Sequence, residues 1–184
     1  MIDETLLHLP VSELAIRIKA RQLSPVELTR AYLDRIARLN TRFNAYETVT
    51  AELALSQASA AEKEINSGRY RGALHGIPYG AKDLLDTAGV ATAWGTKFLK
   101  DRVPERDATV ITRLREAGAV MLGKTAMVEF AGCLGYRMPD SSSMGPGRNP
   151  WDPSRWTGGS SSGSGAAMAA GLAAFTIGTE TWGS

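Results

Sequence analysis

Cysteine is all but missing from this chain: Cys133 is the single one among 184 residues, which excludes an internal disulfide and suits a reducing, cytoplasmic setting. It reads as a small buried hydrophobe. Histidine is nearly as scarce. His8 and His75 lie far apart, so neither they nor Cys133 make a conventional zinc site, and no carboxylate spacing supports another metal. An excess of one charge is missing as well. Lys and Arg number 21 against 19 Asp and Glu, the net charge is +2, and there is no basic tract of the kind that binds nucleic acid directly. No apolar run reaches the ~20 residues needed to span a bilayer, the stretch from Ala166 to Phe175 coming nearest. The N-terminus, Met1-Ile2-Asp3-Glu4, is acidic where a secretory leader is basic. These absences predict a cytoplasmic protein without membrane attachment. No pattern specifies an oligomeric state.

What remains has the composition of an ordinary globular domain, or of part of a larger one, with 43% apolar and 22% charged residues. Residues 1–70 read as helical. Ser24-Pro25-Val26-Glu27 joins a capping box to a proline at the first helical position, and Leu28, Tyr32, Ile36 and Leu39 then share one face. A further helix is predicted around Glu47–Ile65, where Ala54, Ala58, Ala61 and Ile65 recur at helical spacing. From Gly72 the character changes. Gly76–Asp83 is short, apolar and flanked by turns, as a strand would be. Asp107 is predicted to cap a helix that carries Val110, Leu114 and Ala117 and stops at Gly118. Ala119–Leu122 then reads as a short buried strand closed by Gly123-Lys124-Thr125, and Met138–Arg155 as a long surface loop. Helices alternating with short buried strands predict an α/β fold.

The densest signal is Gly158-Gly159-Ser160-Ser161-Ser162-Gly163-Ser164-Gly165. Small apolar residues suited to a closely packed helix follow it, and then Gly178-Thr179-Glu180-Thr181-Trp182-Gly183-Ser184. Glycines in that setting shape a loop over a site rather than a linker. Two familiar patterns occur nearby, and both fail on context. Gly118–Thr125 spells a P-loop, yet a helix precedes it and the residues between its glycines are themselves apolar strand. Gly159–Gly163 spells a nucleophile elbow centred on Ser161. Its upstream segment, Asn149-Pro150-Trp151-Asp152-Pro153, cannot be a central strand, and both histidines precede the serines. Without a histidine as base, lysine is the natural activator of a serine. Bringing a lysine from about 10.4 down to about 7 costs roughly 4–5 kcal/mol of charged-state stability, which burial supplies. Lys82, in the apolar segment Ile77–Leu85, and Lys124, after a buried strand, both qualify.

Several motifs, taken in order along the chain, resemble the amidase signature family. They are Leu23-Ser24-Pro25, Gly72-Ala73-Leu74-His75-Gly76-Ile77-Pro78, Lys82-Asp83, Arg115-Glu116-Ala117-Gly118-Ala119, Gly123-Lys124-Thr125, Glu129-Phe130 and Asn149-Pro150, with Gly158-Gly159-Ser160-Ser161 and Gly178–Ser184 the most specific. The resemblance covers nearly the whole chain. It implies a mixed central sheet covered by helices, with residues 1–70 as a helical region and 71–184 as a sheet core bearing the catalytic motifs. It also implies hydrolysis of the carboxamide C–N bond of a small-molecule substrate, through an acyl-enzyme and without a cofactor. Ser184 resembles the nucleophile, Ser160, 24 positions earlier, the bridging serine, and Lys82 the base. Backbone amides of Thr181, Trp182, Gly183 and Ser184 resemble the oxyanion hole, and the Gly159–Ser160 peptide is expected to be cis.

Two departures stand out. Many members of the family carry aspartate and two glycines before the nucleophile, whereas this chain has Glu180 and then Trp182-Gly183. Trp182 is expected either to line the pocket or to pack in the core. The change leans toward a free-standing amidase and away from the glutamine-hydrolysing component of the tRNA-dependent amidotransferase. Members of the family also run to several hundred residues. Residues 1–184 are therefore expected to be the N-terminal part of an incomplete domain, inactive by itself, with a carboxylate at Ser184 opposing the developing oxyanion. The reading of another class is a non-catalytic remnant that binds a partner through unpaired strand edges.

Overall fold

The computed structural model describes residues 3–132, 138, 141–181 and 183–184. Cys133 and Trp182, singled out above, lie outside these described residues. After a short 3-10 turn at Glu4–His8, helix α1 spans Val11–Lys19 and helix α2 spans Pro25–Phe43. α2 begins as its sequence predicts. The Ser24 hydroxyl accepts a hydrogen bond from the Glu27 N–H at 3.1 Å, and Pro25 takes the first helical place, where no N–H is needed. The helix stops at Asn44, which adopts the left-handed region at φ 48°. Leu28, Tyr32 and Ile36 are buried along one stripe, with Leu39 packed at its margin.

Past α2 the helical reading gives way. Tyr46–Val49 forms strand β1, and helix α3 starts only at Ala51, running to Asn66. The periodicity of Ala54, Ala58, Ala61 and Ile65 is real, for all four are buried. The tetrapeptide before them is aromatic and β-branched, and it extends because a neighbouring strand offers pairing that propensity alone does not foresee. Thr50 pins the junction, with its N–H donating to Leu122 O at 2.9 Å and its hydroxyl to Met121 O at 3.1 Å.

The remaining elements are β2 (Pro78–Lys82), α4 (Thr109–Glu116), β3 (Val120–Thr125), α5 (Ser162–Ala169) and β4 (Phe175–Ile177). They complete a mixed sheet in the order β1-β3-β2-β4, with β1 antiparallel to β3 and β2 parallel to both β3 and β4. Asp107 does not cap α4. Ala108 precedes that helix, while the Asp107 carboxylate accepts from the Ala88 N–H at 2.7 Å and from Arg115. Gly123-Lys124-Thr125 is strand rather than a closing turn. The register of β3 against β2 slips at Tyr79/Gly80, and Gly123 absorbs the slip at φ +156°, where a Cβ would lie 2.1 Å from Thr48 O. The extra residue sets Lys124 opposite Ala81 and Thr125 opposite Lys82. The apolar stretch after the glycine run also divides. α5 begins earlier than expected, inside the serine run, and Phe175–Ile177 is strand, parallel to β2.

Helices α1, α2, α3 and α5 pack into one core with Ile77, Val120 and Leu122 of the sheet region. Tyr79, Ala81 and Met121 join Ile111 and Leu114 of α4 in a second core, and Tyr79 stacks on Phe175 with ring centroids 5.3 Å apart. The result is the α/β fold that the sequence pattern predicts, with the mixed sheet covered by helices that the family resemblance implies. Parallel strands β2 and β4 release the chain side by side at their C-terminal ends, where open α/β sheets place their chemistry. Lys82 ends β2, and Thr179 follows β4 by two residues.

Candidate active site

Lys82 is wholly buried, and its ammonium is surrounded by hydroxyls. Its Nζ donates to Ser160 Oγ at 2.5 Å, to Thr179 Oγ1 at 2.7 Å and to Ser161 Oγ at 3.0 Å. Burial pushes the Lys82 pKa down to about 8, against the opposing charge of Glu180. Ser160, also wholly buried, is hydrogen-bonded through Oγ to the hydroxyl of Ser184. Lys82, Ser160 and Ser184, which the family resemblance nominates, thus meet in one continuous line.

The serine run reaches this position by a tight backbone approach. Gly163, in the first turn of α5, donates its N–H to Ala126 O at 2.9 Å, and the Val128 N–H donates to Ser160 O at 3.1 Å. The Gly159–Ser160 peptide is not cis, since no cis bond occurs among the described residues. Gly159 makes the bend through φ +67° instead, and the absent side chain admits the backbone of the nucleophile turn: a Cβ there would lie 2.8 Å from Gly183 O. Ser161, the centre of the rejected elbow pattern, is a brace. Its hydroxyl donates to Ser184 O at 2.8 Å and to Thr179 O at 3.1 Å, and accepts from the Thr179 N–H at 3.2 Å.

The turn before Ser184 is exposed at Thr181 and Gly183. Gly183, at φ +83°, donates its N–H to Glu180 Oε1 at 2.6 Å. One amide nominated for the oxyanion hole is therefore held by a carboxylate. Lys124, the rival lysine, is buried on the other face of the sheet, next to Asp83. Its Nζ donates to Leu85 O at 2.5 Å and Thr92 Oγ1 at 2.8 Å, and lies 3.9 Å from Asp83 Oδ1. Asp83 Oδ2 accepts from the Ala93 N–H at 2.9 Å. Burial lowers the Lys124 pKa and raises that of Asp83, each partly offset by the other's charge. Lys124 thus staples the loop after β2 and touches none of the serines by any hydrogen bond among the described residues. The P-loop pattern, for its part, has its residues from Val120 to Thr125 in the fully buried strand β3. Among the described residues no group of His, Cys, Asp or Glu can hold a metal ion, and no helix is long and apolar enough to cross a membrane.

A family model described as Amidase matches residues 27–184. The chain belongs to the amidase family. It is 46% identical over 182 residues to the putative amidase AmiD of Mycobacterium tuberculosis, an alignment that covers 99% of this chain and 37% of AmiD. It is 47% identical over 172 residues to a Glutamyl-tRNA(Gln) amidotransferase component from Acidothermus cellulolyticus, covering 94% of this chain and 34% of that one. The fold agrees with the crystal structure of an amidase family protein from Bacillus anthracis, with a TM-score of 0.87 at 36% identity, covering 97% of this chain and 36% of that chain. The chain spans little more than a third of the length of these curated relatives.

Thr179 and the Glu180–Gly183 contact have no role that the sequence alone assigns. Thr179 meets Lys82 across 97 positions only because β2 and β4 are parallel neighbours, a pairing that no local pattern encodes. Its place in the Gly178–Ser184 motif is the one available signal.

Proposed function

We propose that this chain carries the Ser-Ser-Lys machinery of an amidase that hydrolyses the carboxamide C–N bond of a small-molecule substrate. The observation that carries the reading is the line from Lys82 Nζ through Ser160 Oγ to Ser184 Oγ, buried at its base and half-buried at its end. In the working form Lys82 is a neutral amine. Ser184 Oγ attacks the carbonyl carbon, its proton passes to Ser160, and the Ser160 proton passes to Lys82. The carbonyl π electrons move onto oxygen, where main-chain N–H groups of residues 181–184 receive the charge. Collapse of that intermediate breaks the C–N bond, and the departing nitrogen takes the proton back along the same relay. Water, deprotonated by the same route, then releases the acyl group from Ser184. Thr179 and Ser161 hold the amine on line throughout.

The pH dependence follows from the neutral amine. Below the Lys82 pKa of about 8 its neutral fraction grows tenfold per pH unit, and above it the fraction saturates. In the full-length protein, kcat/KM is therefore expected to climb with pH up to about 8 and then level off, and Ser184→Ala is expected to abolish the activity. A profile that is flat across this range contradicts the assignment of Lys82 as base. For residues 1–184 expressed alone, little or no turnover is expected, because they span only 37% of the length of AmiD. The single cysteine supports a cytoplasmic setting.

The identity to an amidotransferase component supports a second reading, glutamine hydrolysis within a larger complex. Release of ammonia from glutamine only in the presence of partner proteins would favour it. Hydrolysis of simple amides by the protein alone would favour the free-standing enzyme.

A further inference from the structure

The turn that delivers Ser184 carries an acidic side chain to which the proposed relay gives no role. Glu180 bends back on its own turn, and Oε1 accepts the Gly183 N–H at 2.6 Å. That amide belongs to the set proposed to receive the negative oxygen of the tetrahedral intermediate, so a carboxylate oxygen already accepts from one of the donors that an oxyanion would use. Gly183 makes the approach possible because φ +83° turns its N–H toward position 180. Glu180 also directly follows Thr179, whose hydroxyl accepts from Lys82 Nζ at 2.7 Å. Its charge opposes the lowering of the Lys82 pKa by burial, while Asp83 and Lys124 lie 3.9 Å from each other on the opposite side of the sheet.

Resting on the hydrolase reading, we infer that Glu180 is a positioning residue with two effects, a latch on the Gly183 amide that substrate must release and a negative charge near the Lys82 amine. In the free protein the latch keeps the turn in its binding shape and shields the amide from water. When a carbonyl oxygen gains negative charge on attack by Ser184, it takes the Gly183 N–H and the carboxylate swings outward, as its exposed position permits. The charge meanwhile favours the protonated amine, which holds Lys82 back until pH or substrate removes that influence.

The test is Glu180→Ala, followed by two readings that need no turnover. The side chain is exposed, so the variant is expected to fold, and its other amide resonances report that it has. Hydrogen exchange at the Gly183 amide is expected to quicken about tenfold, the weight of a hydrogen bond to a charged group. The Lys82 amine, followed by nuclear magnetic resonance against pH, is expected to titrate at lower pH than in the wild type. Either reading left at its wild-type position overturns the proposal. Neither depends on hydrolysis, so an inactive protein with both shifts would refute the hydrolase reading and leave the latch standing. In an active full-length protein the rising limb of kcat/KM is expected to move to lower pH with the Lys82 titration.

Discussion

Lys82→Met in the full-length protein is expected to lower kcat/KM for amide hydrolysis by about 10⁴-fold or more, the size of losing the base from a relay that works as a unit. Methionine matches much of the buried volume and removes a charge that burial disfavours, so the fold is expected to survive. Lys82→Arg is expected to be equally inactive, because a guanidinium stays charged at any working pH. The contrast is with Lys124→Met. That change leaves Asp83 buried without its cation and is expected to cost about 3–5 kcal/mol of stability in a denaturant titration. Activity of Lys82→Met within tenfold of wild type would mean that the base lies elsewhere.

Gly163→Ala is expected to cost about 3 kcal/mol of stability or more, at the upper end of what overpacking exacts. A Cβ at that position would lie 2.3 Å from Ala126 N, 2.4 Å from Ala45 O and 2.6 Å from Ala126 O, all of them backbone atoms that cannot step aside. The first turn of α5 is drawn against the exit of β3 at this point, and the draw sets how deep Ser160 and Ser161 sit. Gly165→Ala, two residues along the same helix, meets nothing within 4 Å and is expected to gain up to about 1 kcal/mol from helix propensity. Denaturant midpoints of the two variants check both statements. Equal stabilities would contradict the close approach of α5 to the sheet.

Legibility in the sequence followed the range of the interaction. Helix α2 was readable to its first residue, because a cap, a proline and an apolar stripe are all local signals. The buried strands β2 and β3 were recognisable as short apolar runs, but the extent of β3 was not. Gly123, Lys124 and Thr125 look like a turn until the bulge that accommodates the register slip against β2 is seen. β1 was hidden inside a helical pattern because its extension depends on β3, more than seventy residues away. At the site, the family motifs nominated Lys82, Ser160 and Ser184, and the fold brings these three together. Local reasoning alone left Lys124 as a rival, and only the alternation across β2 and β3 puts the two lysines on opposite faces of the sheet. The peptide expected to be cis at Gly159–Ser160 is not, and Gly159 there takes φ +67°.

The most direct test of the central claim is to react the full-length protein with a serine-directed phosphonate and to map the adduct. The account predicts phosphonylation at Ser184, abolished by Lys82→Met. An adduct on Ser160 or Ser161, or labelling of Ser184 that is indifferent to Lys82, would contradict it.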